Sequence, residues 1–436
     1  MKRLPRWFKL AVVIIVFVII SVYSIYQLLI NPYRETTNEY VTTLPLETEL
    51  TKKQILGDID YVIGKLRERH PAWLEKENKR VDAVEAKYSD MRKMINDDEK
   101  NSYTVLEEWQ ILSRIMNQLY DGHSRVDFFS DSEKYIDDFS QINEYGNPIT
   151  INGEPTEKIL ESFLNLFQYE RVEFAQAVFG EYIKQELYLN WLGVDTSDGV
   201  TFKYVTDSGE KEYHYSFVPY ENVANNDVEE SEWVNYEIEE KDNLAIFTLK
   251  ECDYNDLYVN TVNDFFDKVD SADIENVIVD LRGNGGGNSY VANEFLSHLN
   301  IDGYMGLSGD VRYGNFLIHN EPYYYTVEKK ENAYDGKVFI LTDVFTFSSA
   351  MDFAIFFKDN NLGTVVGEAS GNMPEAYGDM LRFTVPNSKL GFSVSYKKWF
   401  RIDRNKCDEP IMPDYECKSQ DALSYAKQLI VEKKYE

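Results

Sequence analysis

From about Tyr236 onward, short apolar runs alternate with segments of helical period: LAIFTLKEC, VNDFFDKVD, NVIVDLR, SYVANEFLSHL, KVFILTD, SSAMDFAIFFKDN and GTVVGE. Strands that are separated by helices pair in parallel, and a parallel sheet must be covered by helices on its faces. Residues 236–436 are therefore expected to form an α/β core. Two later runs, MLRFTVP and LGFSVSYKKWF, flank a turn at Asn387-Ser388 and read as adjacent strands.

The chain ahead of this core divides by composition. Lys2, Arg3, Arg6 and Lys9 precede an uncharged run from Leu10 to Ile30, long enough to cross a bilayer as one helix. The run lacks the short apolar stretch and small-residue cleavage site of a signal peptide, so residues 1–31 are expected to be a cytoplasmic basic tip and a transmembrane anchor. With the anchor kept, the chain is expected in the cell membrane, single-pass, with everything after the anchor extracytoplasmic; a cleaved signal peptide is the alternative and leaves the body on the same side. Residues 32–49 read as a polar stalk. Residues 50–125 carry helical periodicity, as in YVIGKLRERHPAWLEKE and VLEEWQILSRIMNQLY, and are expected to be a helical domain stopped at Asp121-Gly122. Residues 126–235 are mixed: ITINGEPTEKIL reads as strand, turn and helix start, and VTFKYVTDSGEKEYHYSFV as a hairpin.

Charge narrows the partners. Forty-five Lys and Arg against 75 Asp and Glu give a net charge of −30, which repels nucleic acid and anionic lipid surfaces. The three cysteines, Cys252, Cys407 and Cys417, rule out a disulfide scaffold; Cys407 and Cys417 either close a small loop or stay unpaired, and Cys252 reads as buried. The five histidines are scattered, and no Cys/His spacing matches a zinc site, so neither metal nor cofactor is expected.

Chemistry concentrates at two places in the α/β core. After NVIVDLR comes a loop with Gly283, Gly285, Gly286 and Gly287, where bare backbone lets N–H groups approach a ligand. A dinucleotide fingerprint needs another spacing and an earlier strand. A cradle for a developing oxyanion fits better, and a purely structural tight turn is the other reading. After KVFILTD, Ser348 and Ser349 stand at a strand-to-helix transition, where free N–H groups and the helix dipole favour negative charge. Such a serine is either a nucleophile or simply an N-cap.

Taken together, LYDGHSRV, VIVDLRGNGGG, VFILTDVFTFSSAMDFA with VVGEASGN, and FTVPNS with PIMPD resemble, in this order, the carboxyl-terminal processing (tail-specific) serine peptidases, closer to the branch of the tricorn core and the interphotoreceptor retinoid-binding protein repeats. The likeness spans roughly Ile55 to Val431 and is weakest in the middle. It implies a crotonase-like (ClpP-like) α/β core, a middle module of degenerate PDZ type, and a serine peptidase acting on protein or peptide substrates. It implies further that Ser348 is the nucleophile and that the N–H groups of Gly286 and Ser349 form the oxyanion hole. Where the processing branch carries its catalytic lysine this chain has Met373, whereas His123 stands where the tricorn branch has its histidine. Glu409 is the implied carboxylate partner of that histidine, with Asp408 close behind. Gly122 replaces a serine that assists the histidine in tricorn. Asp280 and Arg282 are implied to brace the glycine loop, Glu368 and Gly371 to shape the site wall, and His70 to pack or cap. Because the retinoid-binding relatives use the fold for carriage, an inactive ligand- or peptide-binding protein is the alternative to a peptidase.

Overall fold

The computed structural model describes residues 5–39, 41–127, 134–224, 232–330 and 332–432; the basic residues Lys2 and Arg3 lie outside them. Helix α1 (Arg6–Ile25) continues as a π turn to Ile30 and buries none of its residues. At 25 residues it is long and apolar enough to cross a membrane. The segment after it is not the free stalk its polarity suggested. Thr37 N–H donates to the Arg382 carbonyl (2.9 Å) and Leu44 N–H to that of Ser388 (3.1 Å), which lays residues 33–39 and 41–44 along the folded body.

Three helices follow: α2 (Lys52–Arg69), α3 (Lys79–Asp97) and α4 (Val105–Met116). Thr51 with Gln54, and Thr104 with Glu107, form reciprocal capping boxes that satisfy the first N–H groups of α2 and α4. Ile55, Ile59, Val62, Ile63 and Leu66 recur at helical spacing on α2 and are fully buried. Pro71 prevents α2 from continuing past His70. Helix α4 ends earlier than Gly122: a 3₁₀ turn, Asn117–Leu119, is closed by Tyr120 in the left-handed region (φ 50°). Leaving the helix there frees Asp121, Gly122 and His123 to form a loop.

The middle of the chain holds strand β1 (Val126–Asp127) and a four-stranded antiparallel sheet. Its strands are β2 (Thr150–Ile151), β3 (Glu154–Pro155), β4 (Val200–Thr206) and β5 (Gly209–Tyr215), in the order β3-β2-β4-β5. Helices α5 (Thr156–Leu164) and α6 (Val172–Tyr182) pack on it through Phe163 and Phe179. The expected hairpin is β4–β5.

The last part contains strands β6 (Val234–Glu239), β7 (Leu244–Leu249), β8 (Asn276–Asp280), β9 (Ser308–Tyr313), β10 (Phe316–Asn320), β11 (Lys337–Thr342), β12 (Thr364–Gly367), β13 (Tyr377–Thr384), β14 (Gly391–Phe400) and β15 (Tyr415–Glu416). Its helices are α7 (Asp256–Ser271), α8 (Tyr290–Leu296), α9 (Ser349–Asp359) and α10 (Ala422–Glu432). One sheet runs β6-β7-β8-β11-β12-β15, parallel except for β6 against β7, as the strand-helix alternation anticipated. Phe265, Phe295 and Phe353 from α7, α8 and α9 fill one face, and Ala426 and Leu429 of α10 cover the other. Each such phenylalanine contributes roughly 1.5–3 kcal/mol through burial. The second sheet, β10-β9-β14-β13, is antiparallel, and β1 pairs with the start of β14 on the edge opposite β13. Its inner face (Phe383, Phe392, Val394) shares a single apolar core with α2 and α4, so the helical part and the sheet part fold as one packing unit.

Of the cysteines, Cys407 and Cys417 are unpaired and Cys252 is buried. One buried ion pair holds the end of α9 to the segment after β14: Arg401 Nη2 lies 2.9 Å from Asp359 Oδ1, both side chains about 1% exposed. Removing one partner strands the other charge in apolar surroundings. The Asp359→Ala variant is therefore expected to lose about 3–5 kcal/mol of stability, read as a drop in the denaturant midpoint.

Candidate active site

The site forms where β11 hands over to α9. Ser348 sits in that turn at φ 52°, ψ −126°, a conformation that costs a non-glycine residue energy and persists only where its surroundings fix it. The bracing comes from the glycine loop after β8. Phe347 N–H donates to the Asn284 carbonyl (2.9 Å), Thr346 Oγ1 to that of Leu281 (3.0 Å), and Gly283 N–H to Asp343 Oδ1 (3.0 Å). From the other side, Ser348 N–H donates to Oδ1 of buried Asn372 (2.9 Å). Gly286, at φ 97°, presses so closely on the turn that a Cβ there would lie 2.7 Å from Ser348 Cβ and 2.9 Å from Ser349 N. No side chain fits, which is the local reason for glycine.

Asp280 and Arg282 stand where the sequence placed them. Arg282 Nε and Nη2 each lie 2.8 Å from the Asp280 carboxylate, Lys250 Nζ adds a contact at 3.2 Å, and Arg282 Nη1 reaches the Ser419 carbonyl. Burial works against the Asp280 carboxylate, but these cations outweigh it and hold its pKa below the ordinary value. Gly371 donates its N–H to the Thr346 carbonyl (2.9 Å) and so borders the Ser348 turn, whereas Glu368 accepts from Ser419 N–H (3.0 Å) and is bonded through its backbone to Thr342 at the end of β11.

His123 arrives from the loop after α4, carried on β14. Ser393 Oγ donates to the His123 carbonyl (2.6 Å), Ser395 N–H to Ser124 Oγ (2.9 Å), and Ser395 Oγ to Asp121 Oδ2 (2.7 Å). The imidazole Nε2 lies 3.1 Å from Ser348 Oγ, hydrogen-bond distance for residues 225 positions apart in sequence. A neutral imidazole at that distance can accept the hydroxyl proton.

The carboxylates behind the imidazole are not the ones inferred from sequence. Glu409 and Asp408 are exposed in the loop before Pro410, and neither contacts His123. His123 Nδ1 instead faces Glu170 Oε1 at 3.7 Å and Asp121 Oδ1 at 3.8 Å, ion-pair distances. Glu170 lies between α5 and α6 and is pinned by Met373 N–H (2.9 Å to Oε2), while Arg171 beside it reaches the Ser370 carbonyl. Asp121 also accepts from His70 Nε2 at 3.1 Å. Because His70 Nδ1 accepts the Ala72 N–H (3.2 Å), the proton of the neutral ring must sit on Nε2. His70 thus caps, as expected, and in addition orients Asp121.

Electrostatics follow from this packing. Burial disfavours the His123 imidazolium, but Glu170 and the charge of Asp121 outweigh it and raise its pKa above the ordinary histidine value. Burial raises Glu170, and His123 offsets this only in part. For Asp121 burial is more than offset by His70, His123 and Ser124, which hold it well below the carboxylate range. One turn after Ser348, burial and then Asp379 push the Asp352 carboxyl up to about 7. Donor atoms of Asp121, His123 and Glu170 lie within 4.8 Å of one another, the set among the described residues that a metal could use.

The glycine loop departs from expectation in one donor. Gly286 N–H is already given to Asn284 Oδ1 (2.8 Å), whereas its carbonyl accepts from Cys252 N–H. Ser349 N–H is the first amide of α9 and so has no intrahelical acceptor. The Ser349 hydroxyl is engaged with the Gly287 carbonyl at 2.9 Å.

Glu170 carried no signal in the sequence, since FQYERVEF matches no motif. Asp121 had a weak one, two positions before His123. Catalysis by His123 requires its neutral form, so a raised pKa puts the acidic limb of the pH–rate profile above the free-histidine value. Glu170→Gln removes a contribution that raises this pKa. It is expected to shift the limb to lower pH and to slow the plateau rate at least about 10-fold, whereas Glu409→Gln is expected to change neither. The pH dependence of active-site labelling measures both.

Comparison with known proteins bears on the same region. Residues 245–417 match the family model described as Peptidase family S41. No curated protein sequence matches the chain. Among solved structures, mature CPAF complexed with lactacystin is 12% identical, with 88% of this chain and 97% of that chain covered and a TM-score of 0.63. Mature CPAF alone gives 12%, 87%, 97% and 0.62. The photosystem II D1 C-terminal processing protease gives 12%, 85%, 94% and 0.45. The likeness to CPAF shows that the two chains share a fold. The family match, which runs over β7 to β15, identifies residues 245–417 as a serine-peptidase domain of family S41.

Proposed function

We propose that this chain is a membrane-anchored, extracytoplasmic serine peptidase in which Ser348 attacks a peptide carbonyl, His123 is the general base and acid, and Glu170 with Asp121 orients the histidine. The approach of His123 Nε2 to Ser348 Oγ at 3.1 Å is the observation that carries this reading. His123 takes the serine proton as the tetrahedral intermediate forms and returns it to the leaving amine, and water then releases the acyl-enzyme. Two carboxylates at Nδ1 favour the tautomer with its proton there, leaving Nε2 to accept. The oxyanion falls to the N–H of Ser349, with Gly287 N–H, which donates to no described residue, in place of Gly286. Protein or peptide substrates follow from the family. The parallel sheet is the crotonase-like part, and β2–β5 with α5 and α6 make up the PDZ-like module. Helix α1 is the anchor, oriented inward by Arg6 and Lys9.

The direct test is labelling with a fluorophosphonate at neutral pH. Wild type is expected to label, and Ser348→Ala and His123→Ala to lose labelling by at least about 10³-fold. Loss in Ser348→Ala alone would place the base elsewhere, and a folded wild type that never labels would favour a binding protein on this fold. A second expectation concerns Gly286→Ala. Its methyl group cannot coexist with Ser348 in the present turn, so labelling is expected to fall to the level of Ser348→Ala while the far-ultraviolet circular dichroism stays that of wild type.

A further inference from the structure

The hairpin β9–β10 reaches the end of the membrane-length helix. Its two-residue turn, Gly314-Asn315, touches the last turn of that helix so closely that a Cβ on Gly314 would stand 1.7 Å from the Leu29 carbonyl oxygen. Immediately beyond the turn, Phe316 is 60% exposed and Ile318 48% exposed. They are two residues apart on β10, so they share one face. Moreover, β10 is the outer strand of its sheet, with one edge unpaired. An exposed apolar face on an open edge invites aggregation unless something covers it. Lipid is at hand, because the hairpin tip adjoins the apolar helix.

The body is also held rigidly to that helix. Tyr33, three residues past Ile30, shares a hydrogen bond with Tyr396 through their hydroxyls (2.8 Å). Lys65 pairs with Glu35, and Arg69 Nη2 reaches the Arg34 carbonyl. Arg312, 3% exposed, donates through Nε to the Gly314 carbonyl (2.8 Å) and through its Nη atoms to the carbonyls of Arg67 and His70. Tyr396 follows Ser395, the residue that holds Asp121. Two strand spacings, about 10 Å, separate β10 from β14.

We propose that the outer face of the β9–β10 hairpin, with Phe316 and Ile318, is a second membrane contact that lies in the lipid interface and sets the peptidase down on the bilayer. This rests on the reading of the chain as an anchored peptidase and adds a substrate class to it: extended segments next to a membrane anchor, cut on the order of ten residues from the bilayer. Three residues of chain and two tyrosine side chains bridge the helix end to the strand beside the site, a span of roughly 30 Å, which extended peptide covers at about 3.3 Å per residue.

The test uses the full chain in vesicles of phosphatidylcholine, because the net charge of −30 repels anionic lipid. In F316W, the added indole is expected to be quenched by lipids brominated near the glycerol end of the acyl chain. The double variant F316D/I318D is read with two probes, a free fluorophosphonate and one tethered to phospholipid by a short linker. Labelling by the free probe is expected to be unchanged, and labelling by the tethered probe to slow at least tenfold relative to wild type. An unquenched F316W indole, or equal slowing with both probes, or none, in the double variant, overturns the membrane contact. Release of the wild-type chain by alkaline carbonate overturns the anchor reading and this proposal with it, and absence of labelling by the free probe overturns the peptidase reading, whereas retention with labelling but no quenching overturns this proposal alone.

Discussion

The proposed catalysis depends on one strained turn. Ser348 occupies a backbone conformation that L-residues avoid, and it stays there because the glycine loop after β8 is bonded to the same turn at three points while Asn372 takes the Ser348 N–H. The strain is useful. It lifts the hydroxyl out of the helix that begins at Ser349 and presents it to whatever stands across the cleft. The glycine loop must in turn be rigid, and the ion pair of Asp280 with Arg282, extended to Lys250 and the Ser419 carbonyl, supplies that rigidity.

Across the cleft, the base depends on a different sheet. The loop carrying His123 is stitched to β14 by Ser393 and Ser395, and β14 shares its apolar core with α2 and α4. Ser348 and His123 are therefore brought together only when the parallel sheet, the antiparallel sheet and the helical part are all in place. A half-folded chain would hold an intact serine turn with no base beside it.

This division explains what the sequence could and could not reveal. The alternation of strands and helices after Tyr236 was readable from local periodicity, while Ser348 and His123 were singled out by the resemblance, and the fold brings their side chains to 3.1 Å. Glu409 was assigned from its distance to Pro413-Asp414, and spacing says nothing about which way a loop points; the loop turns its carboxylates to solvent. Gly286 was assigned as an oxyanion donor, but Asn284, two residues earlier, already takes its N–H. The segment 32–49 read as a polar stalk from its composition, yet it is bonded to the body by backbone groups, the Tyr33 hydroxyl and the Glu35 carboxylate, whose partners lie far along the chain and leave no mark on local composition.

The most instructive departure lies at Met373. In the processing branch that position carries the lysine base; here its side chain has no proton to take, but its backbone N–H donates to Glu170 Oε2. The position keeps a tie to the site's proton chemistry while the identity of the base changes. A lysine base would need no carboxylate behind it. A histidine base does, because only a partner at Nδ1 fixes which nitrogen accepts. The chain meets that need from the middle module, with Arg171 bound to the Ser370 carbonyl to keep Glu170 in register. With His123 as the proposed base, the α5–α6 connection is fixed behind it by the Met373 N–H on Glu170 and by Arg171 on the Ser370 carbonyl, and the first of these bonds is a backbone one that does not depend on the side chain at 373.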